Sequence, residues 1–331
     1  MKAIVHHQYG TPEVLHVAEV ETPHPKANEV LVRIHATPVN FGDLLARRIN
    51  SVSPRQFSMP TILWFITRLT FGWRKPRNPI LGSEFGGEIV AIGEDVTRFK
   101  VGDLVFGYRS MNMRANAEYL SVKEDSLIAP KPENMTTEEA STLPYGTLTA
   151  LNLLRRVGIQ PKQKVLILGA SGSIGAAALQ LAKHYGAEVT GVASGPRLEM
   201  MKALGADHVI DYTQEDFTQN GETYDLIVDI LNKHSFAKVK HSLSANGRYL
   251  LASFKMKQVW QMIFTGLFGK KKVVCALSQE DLDDLFHVKE LAEAGTIKPH
   301  IDRRFPMAQA ADAHRYAESR QKRGVVLITY A

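Results

Sequence analysis

An α/β architecture is predicted for this 331-residue chain: a doubly wound parallel sheet with a second, β-rich domain. Three observations predict it. From about residue 161 onward, short apolar runs alternate with helical patterns, the rhythm of parallel strands joined by crossover helices. Before that point, apolar and polar residues alternate over short runs with glycines at turn spacing. The length also exceeds what a single core usually serves, so two domains are expected.

The elements follow in chain order. "EVLVRIHATPVN" (29–40) and "EFGGEIVAIGEDVTRFKVGDLVFG" (84–107) supply strands and turns of the first domain. "KVLILGA", "EVTGVAS", "HVIDY", "YDLIVDI", "GRYLLAS" and "VVCAL" read as strands of the second. "IGAAALQLAKHYG" and "PRLEMMKALG" are the helices between the first three of these. The helical pattern "QEDLDDLFHVKELAEAG" precedes a tail, "ESRQKRGVVLITYA", that ends in a further strand. No internal repeat or low-complexity segment interrupts this plan.

Composition narrows the class. A hydrophobic content of 44% with 22% charged residues describes an ordinary soluble globular protein. Cys275 is the one cysteine, so an internal disulfide and a cysteine-based zinc cage are excluded, and a reducing, cytoplasmic compartment is expected. The opening "MKAIVHHQYG" lacks the apolar core of a signal peptide. The densest apolar run, "ILWFI" at 62–66, is far short of the roughly 18 residues of a membrane span. The net charge of +6 is unevenly placed: seven basic residues and no acid lie between Asp43 and Glu84, and nine basic residues and no acid between Asp229 and Glu280.

"LILGASGSIG" carries the chemistry. A buried-type strand runs into Gly169, Ala170, Ser171, Gly172, Ser173, Ile174 and Gly175, and a helix follows at once. Gly172 would let a pyrophosphate approach the backbone, and Gly175 would let helix and strand pack closely. The helix N-terminus adds free N–H groups and a positive dipole end. A purely structural turn is the alternative. At the end of the second strand, where NAD-type sites carry an acid, stand Ser194 and Gly195, followed by Arg197. A hydroxyl and a guanidinium suit a 2′-phosphate, so NADPH is preferred over NADH, unless Arg197 is merely a solvated helix residue.

With these motifs in hand, the chain resembles a zinc-free member of the medium-chain dehydrogenase/reductase superfamily, on the quinone reductase (zeta-crystallin-like) side. "YGTPEVLHVAEVETPHPKANEVLVRIHATPVNFGD", "LGSEFGGEIVAIGEDVTRFKVGDLVFG", "LPYGTLTA", "GASGSIG" and "IKPHIDRRFPMAQAADAHRYAESRQKRGVVL" carry the likeness in the expected order. The resemblance implies a GroES-like catalytic domain over 1–124 and 297–331, and a Rossmann NADP-binding domain over 125–296. It also implies that Arg197 and Tyr212 clamp the 2′-phosphate and that Thr149 touches the nicotinamide.

The positions at which zinc-dependent relatives hold their metal are Asn40, Ser83 and Tyr145 here, and none is a good zinc ligand. Without a Lewis acid, charge on the acceptor oxygen must be met by hydrogen-bond donors, and all three can donate. The blander alternative is that they carry no role since the metal was lost. Some reductases of this kind place a Tyr five residues after that Asn; Leu45 stands there, so Tyr145 is the preferred proton donor, with solvent as the alternative. Asp43 and Arg47, at i,i+4, are expected to form a helix-surface ion pair.

One insert is unexplained by the resemblance. "SPRQFSMPTILWFITRLTFGWRKPRN" and "MKQVWQMIFTGLFGKKK" are cationic, acid-free and together hold all three tryptophans. A lid over a bulky acceptor, a dimer surface and a patch resting on anionic lipid all fit. No motif supports nucleic-acid binding. The activity expected is NADPH-dependent hydride transfer to a quinone or an α,β-unsaturated carbonyl, by a homodimer. The alternatives are a non-catalytic NADPH-binding or membrane-associated module and a zinc-free alcohol or aldehyde dehydrogenase.

Overall fold

The computed structural model describes residues 1–319 and 321–330. The chain forms two compact units, Met1–Ser53 with Phe65–Tyr145 and Asp281–Ala331, and Pro54–Trp64 with Gly146–Glu280.

In the first unit, β1 (Lys2–Val5) pairs antiparallel with β2 (His16–Glu19). The main sheet is built on β3 (Glu29–Pro38), whose length lets it bond β4 (Glu84–Ile92) and β6 (Tyr119–Lys123). Beyond β4 come β5 (Leu104–Tyr108) and β7 (Ile128–Pro130), all antiparallel. On the other side of β3, the C-terminal β15 (Val325–Thr329) pairs antiparallel with it and parallel with β14 (Ile301–Pro306). Ile34, Phe85, Ile89, Val105, Ile128 and Val326 are buried in the core beneath this sheet.

Four helices accompany it. α1 (Phe41–Arg48) follows β3 directly, with Asn40 as its N-cap. α3 (Thr137–Ser141) opens with a Thr136–Glu139 capping box and packs on β3, β4 and β5. α9 (Leu282–Glu293), capped by Asp281, contacts β7. α10 (Ala310–Glu318) lies between β14 and β15 in sequence and packs on both. These contacts of β7, α3 and α9 put the changes of unit at 145/146 and 280/281, where the sequence suggested 124/125 and 296/297.

The second unit is the doubly wound sheet. Its strands are β8 (Lys164–Leu168), β9 (Glu188–Ala193), β10 (His208–Asp211), β11 (Tyr224–Asp229), β12 (Leu243–Leu251) and β13 (Lys272–Cys275). Their order is β10-β9-β8-β11-β12-β13 and every pairing is parallel. β8 is buried at Val165, Leu166, Ile167 and Leu168, as a strand covered on both faces must be. α5 (Ser173–His184) and α6 (Leu198–Ala203) are the expected crossovers, and α7 (Phe236–Val239) connects β11 to β12.

Several helices were not assigned from the sequence. Both basic, aromatic segments contain one: α2 (Thr61–Phe71), whose first turn lies in the second unit and whose remainder in the first, and α8 (Met256–Phe268). α4 (Pro144–Val157) likewise begins at the unit boundary. Among the described residues, no helix is long and apolar enough to cross a membrane.

Candidate active site and cofactor turn

β8 ends at Leu168, and Gly169, at φ +86°, turns the chain in a conformation that L side chains rarely adopt. The N–H groups of Gly169 and Ala170 bond the Val192 carbonyl at 3.3 Å each, and Gly172 N–H closes onto Gly169 O at 3.1 Å. α5 then starts at Ser173. Its N-cap, Gly172, has no side chain to occupy the first-turn N–H groups.

The two later glycines differ in what surrounds them. A Cβ on Gly175 would sit 2.1 Å from Gly169 O, so this glycine is required for α5 to lie against the turn. A Cβ on Gly172 would meet nothing nearer than Gly169 O at 3.6 Å. Gly172 is therefore not needed for packing, and the space beside it is open. The turn also stands where the strand order reverses, with β9 on one side of β8 and β11 on the other, which is where open α/β sheets bind ligands. α4 leans on the same turn: a Cβ on Gly146 would lie 2.7 Å from Ser173 O. Half-buried Thr149 is one helical turn further along α4. An anionic dinucleotide backbone fits the first-turn N–H groups of α5, which no N-cap side chain covers.

At the end of β9 the structure brings Ser194, Arg197 and Tyr212 together. Arg197 Nη1 donates to Ser194 Oγ, and Tyr212 N–H bonds Ala193 O at 3.1 Å with its ring exposed. The segment after β9 holds no carboxylate of its own, as expected from the sequence, but the pairing of Asp211 with Ala193 brings one in from β10, against that expectation. A Cβ on Gly195 would lie 2.8 Å from Asp211 Oδ2. Hydrogen bonds from the Thr213 N–H and hydroxyl hold the Asp211 carboxyl below the usual carboxylate range. Its distance along the chain hid it; only the parallel register of β9 and β10 places it there.

The second group lies in the first unit. Asn40 Oδ1 accepts from Gly42 N–H (2.8 Å) and Asp43 N–H (3.3 Å), starting α1. Its Nδ2 donates to Ser83 Oγ at 2.7 Å and to Glu84 Oε2 at 3.0 Å. Glu84 Oε1 accepts the Tyr145 N–H at 2.8 Å. The three expected residues are thus joined by a fourth, Glu84, which the sequence reading passed over. The signal was present: an acid heads the strand "EFGGEIVAI", where burial on both sides needs apolar residues.

Asn40, Ser83 and Glu84 are buried and Tyr145 is half-buried, its ring 6.2 Å from that of Tyr108. Burial pushes the Glu84 carboxyl up to about 8, against the opposing bonds from Tyr145 and Asn40. Burial likewise raises Asp43 to about 6, although it accepts N–H groups from Asn40 and Gly82 at 3.1 and 2.9 Å. Both amide hydrogens of Asn40 are engaged, so what it does chemically is hold Ser83 and Glu84 in place. Ser83 Oγ accepts from Asn40, and that contact leaves its own hydrogen to be donated elsewhere.

The expected surface ion pair between Asp43 and Arg47 is not formed. Both side chains are buried, Asp43 caps α1, and Arg47 Nη2 pairs with Glu318 at 2.6 Å. Spacing of i,i+4 places two residues on one helix face; it does not say that the face is outside.

Two family models match. The description "Alcohol dehydrogenase GroES-like domain" fits residues 26–133, and "Zinc-binding dehydrogenase" fits residues 204–328. Among curated relatives, a chloroplastic quinone-oxidoreductase homolog of Spinacia oleracea is 30% identical over 332 residues, covering 95% of this chain and 93% of its own. An NADPH-dependent alkenal/one oxidoreductase of Arabidopsis thaliana chloroplasts is 28% identical, over 99% of this chain and 79% of its own. Among solved structures, the quinone oxidoreductase from Coxiella burnetii aligns over 99% of both chains with a TM-score of 0.84 and 27% identity.

Zinc, named in one of these descriptions, does not suit the residues present. Asn40, Ser83 and Tyr145 offer an amide, a hydroxyl and a phenol, and Glu84, the carboxylate joined to them, has both oxygens engaged by Asn40 and the Tyr145 N–H, where zinc takes several thiolate, imidazole or carboxylate ligands. Among the described residues, no group of three His, Cys, Asp or Glu is arranged to hold a metal ion.

Proposed function

Because the chain belongs to the medium-chain dehydrogenase/reductase superfamily, on its quinone reductase branch, and is an NAD(P)H-dependent oxidoreductase, we propose that it uses NADPH to reduce a quinone or an α,β-unsaturated carbonyl without a catalytic metal. The observation that carries this reading is the open Gly172 turn at the uncapped N-terminus of α5. The names of the relatives support the acceptor class.

In this reading the first-turn N–H groups of α5 bind the pyrophosphate, and Gly172 keeps the backbone accessible to it. Ser194, Arg197 and Tyr212 bind the 2′-phosphate, and Thr149 abuts the nicotinamide. The bound cofactor supplies the hydride. Ser83 donates a hydrogen bond to the acceptor oxygen as negative charge develops there. Asn40 fixes Ser83, and Glu84 fixes both Asn40 and the first turn of α4, from which the Tyr145 hydroxyl delivers the proton. The donors are set before the acceptor arrives, so they need not reorganise during reaction. A homodimer and a cytoplasmic location, which the buried Cys275 thiol suits, belong to the same proposal.

Steady-state loss of NADPH absorbance against quinones, enones and aldehydes, with NADH in parallel, is the test. Turnover of quinones or enones with NADPH is expected. Tight NADPH binding with no acceptor turned over would overturn the reading in favour of a non-catalytic module.

A further inference from the structure

α8 presents an apolar face that nothing in its own unit covers. Met256, Trp260, Ile263, Phe264, Leu267 and Phe268 are all exposed, Leu267 at 71% and Phe268 at 82%. They recur at i, i+4, i+7, i+8, i+11 and i+12, so they form one stripe along the helix. The other side of α8 makes the contact that holds it: Val259 and Met262 pack on the core of the parallel sheet. A contiguous exposed stripe of this kind on a soluble chain marks a contact surface.

The charges around the stripe point to its occupant. Lys255 and Lys257 stand at its start and Lys270 and Lys272 just beyond its end, all exposed, in a stretch without an acid from residue 230 to 279. A second copy of this chain, docked face to face on the same patch, would bring lysine against lysine. A surface of anionic lipid headgroups complements them. At 13 residues α8 is far shorter than the roughly 20 residues a bilayer-spanning helix requires, so it can lie in the interface and not cross it. Trp260 has the amphipathic ring favoured at that depth. α2 repeats the pattern separately, with Ile62, Phe65, Ile66 and Leu69 exposed at i, i+3, i+4 and i+7 and three exposed basic residues, Arg74, Lys75 and Arg77, just beyond its end.

We propose that α8 is an interfacial helix that docks the protein on an anionic bilayer, its apolar stripe in the acyl boundary and its lysines on the headgroups. The proposal is independent of the reductase reading, since none of these residues is placed in the cofactor turn or beside Asn40.

Flotation of the full-length protein with phosphatidylcholine vesicles, with and without phosphatidylserine, tests it. Binding to the anionic vesicles alone is expected, weakening as salt is raised. The pair Leu267→Ser with Phe268→Ser should abolish binding, and Lys270→Gln with Lys272→Gln should weaken it by about tenfold. Melting temperature and NADPH turnover should be unchanged in both variants. Three results would each overturn the proposal: no flotation with either vesicle, equal flotation with both, or light scattering showing a dimer that the Leu267/Phe268 variant splits.

Discussion

Asn40 Nδ2 donates to one carboxyl oxygen of Glu84 at 3.0 Å, and the other oxygen of Glu84 receives the Tyr145 N–H at 2.8 Å. One buried carboxyl thereby ties the start of α1, the start of β4 and the start of α4. It does so at an electrostatic cost, because desolvation favours the neutral acid.

That cost has a pH signature. The native Glu84 pKa of about 8 lies above the ordinary 4.5, so between these values the folded chain keeps a proton that the unfolded chain releases. Stability therefore falls as pH rises through this window, and Asp43 adds a slope of the same sign up to about 6. Glu84→Gln should flatten the upper part of the slope. A Gln amide offers one acceptor oxygen where the carboxyl uses two, so the variant should also be about 1–3 kcal/mol less stable at its plateau. Melting curves across pH for both proteins check this; a wild-type slope in Glu84→Gln would show that Glu84 is not the titrating group.

In the proposed reading, the glycine turn separates packing from binding. Gly175→Ala forces a Cβ to within 2.1 Å of Gly169 O and should lower the melting temperature sharply or prevent folding. Gly172→Ala has room and an ordinary φ of −85°, so its melting temperature should hold while NADPH affinity drops tenfold or more. Calorimetric titration of the folded Gly172→Ala protein decides the matter, and unaltered affinity would mean that the nucleotide lies elsewhere.

In the proposed reading, cofactor choice rests on two opposed charges. Arg197→Glu should erase any preference for NADPH over NADH, since the guanidinium that would meet the 2′-phosphate is replaced by a repelling carboxylate. Asp211→Asn should strengthen the preference, by removing the one carboxylate that the β9–β10 register brings beside Gly195. The ratio of kcat/KM for the two cofactors is the measurement. Equal ratios in wild type and both variants would remove these residues from the site.

His314, on α10, is fully buried with neither ring nitrogen hydrogen-bonded among the described residues. Burial first, then the charges of Arg47 and His6, push its pKa down to about 3 from 6.5. The unfolded chain takes up a proton there that the native state refuses, so stability falls as pH drops from 6.5 toward 3. His314→Leu leaves no hydrogen bond unmade and should raise the melting temperature on the acid side of that window with little change above it. An equal shift at all pH values would assign the effect to packing instead.

Much of this protein is written locally. The strands of the parallel sheet, the turn from β8 into α5 and the packing need for Gly175 depend on neighbours within a few residues, and periodicity with turn chemistry exposes such neighbours. α8 escaped because its packed and its exposed face are both apolar, which hides the period that one polar and one packed face would reveal.

What the sequence by itself determined was the fold class, the succession of strands and the glycine turn from β8 into α5. Only the tertiary structure decided the partners. Glu84 reaches Asn40 across 44 residues, Asp211 reaches Gly195 through strand register, and Arg47 turns inward to Glu318 and away from Asp43. The reason is physical: side-chain period and turn preference act along the chain, whereas burial and hydrogen-bond partnership are set by which distant segments the packed sheet lays side by side.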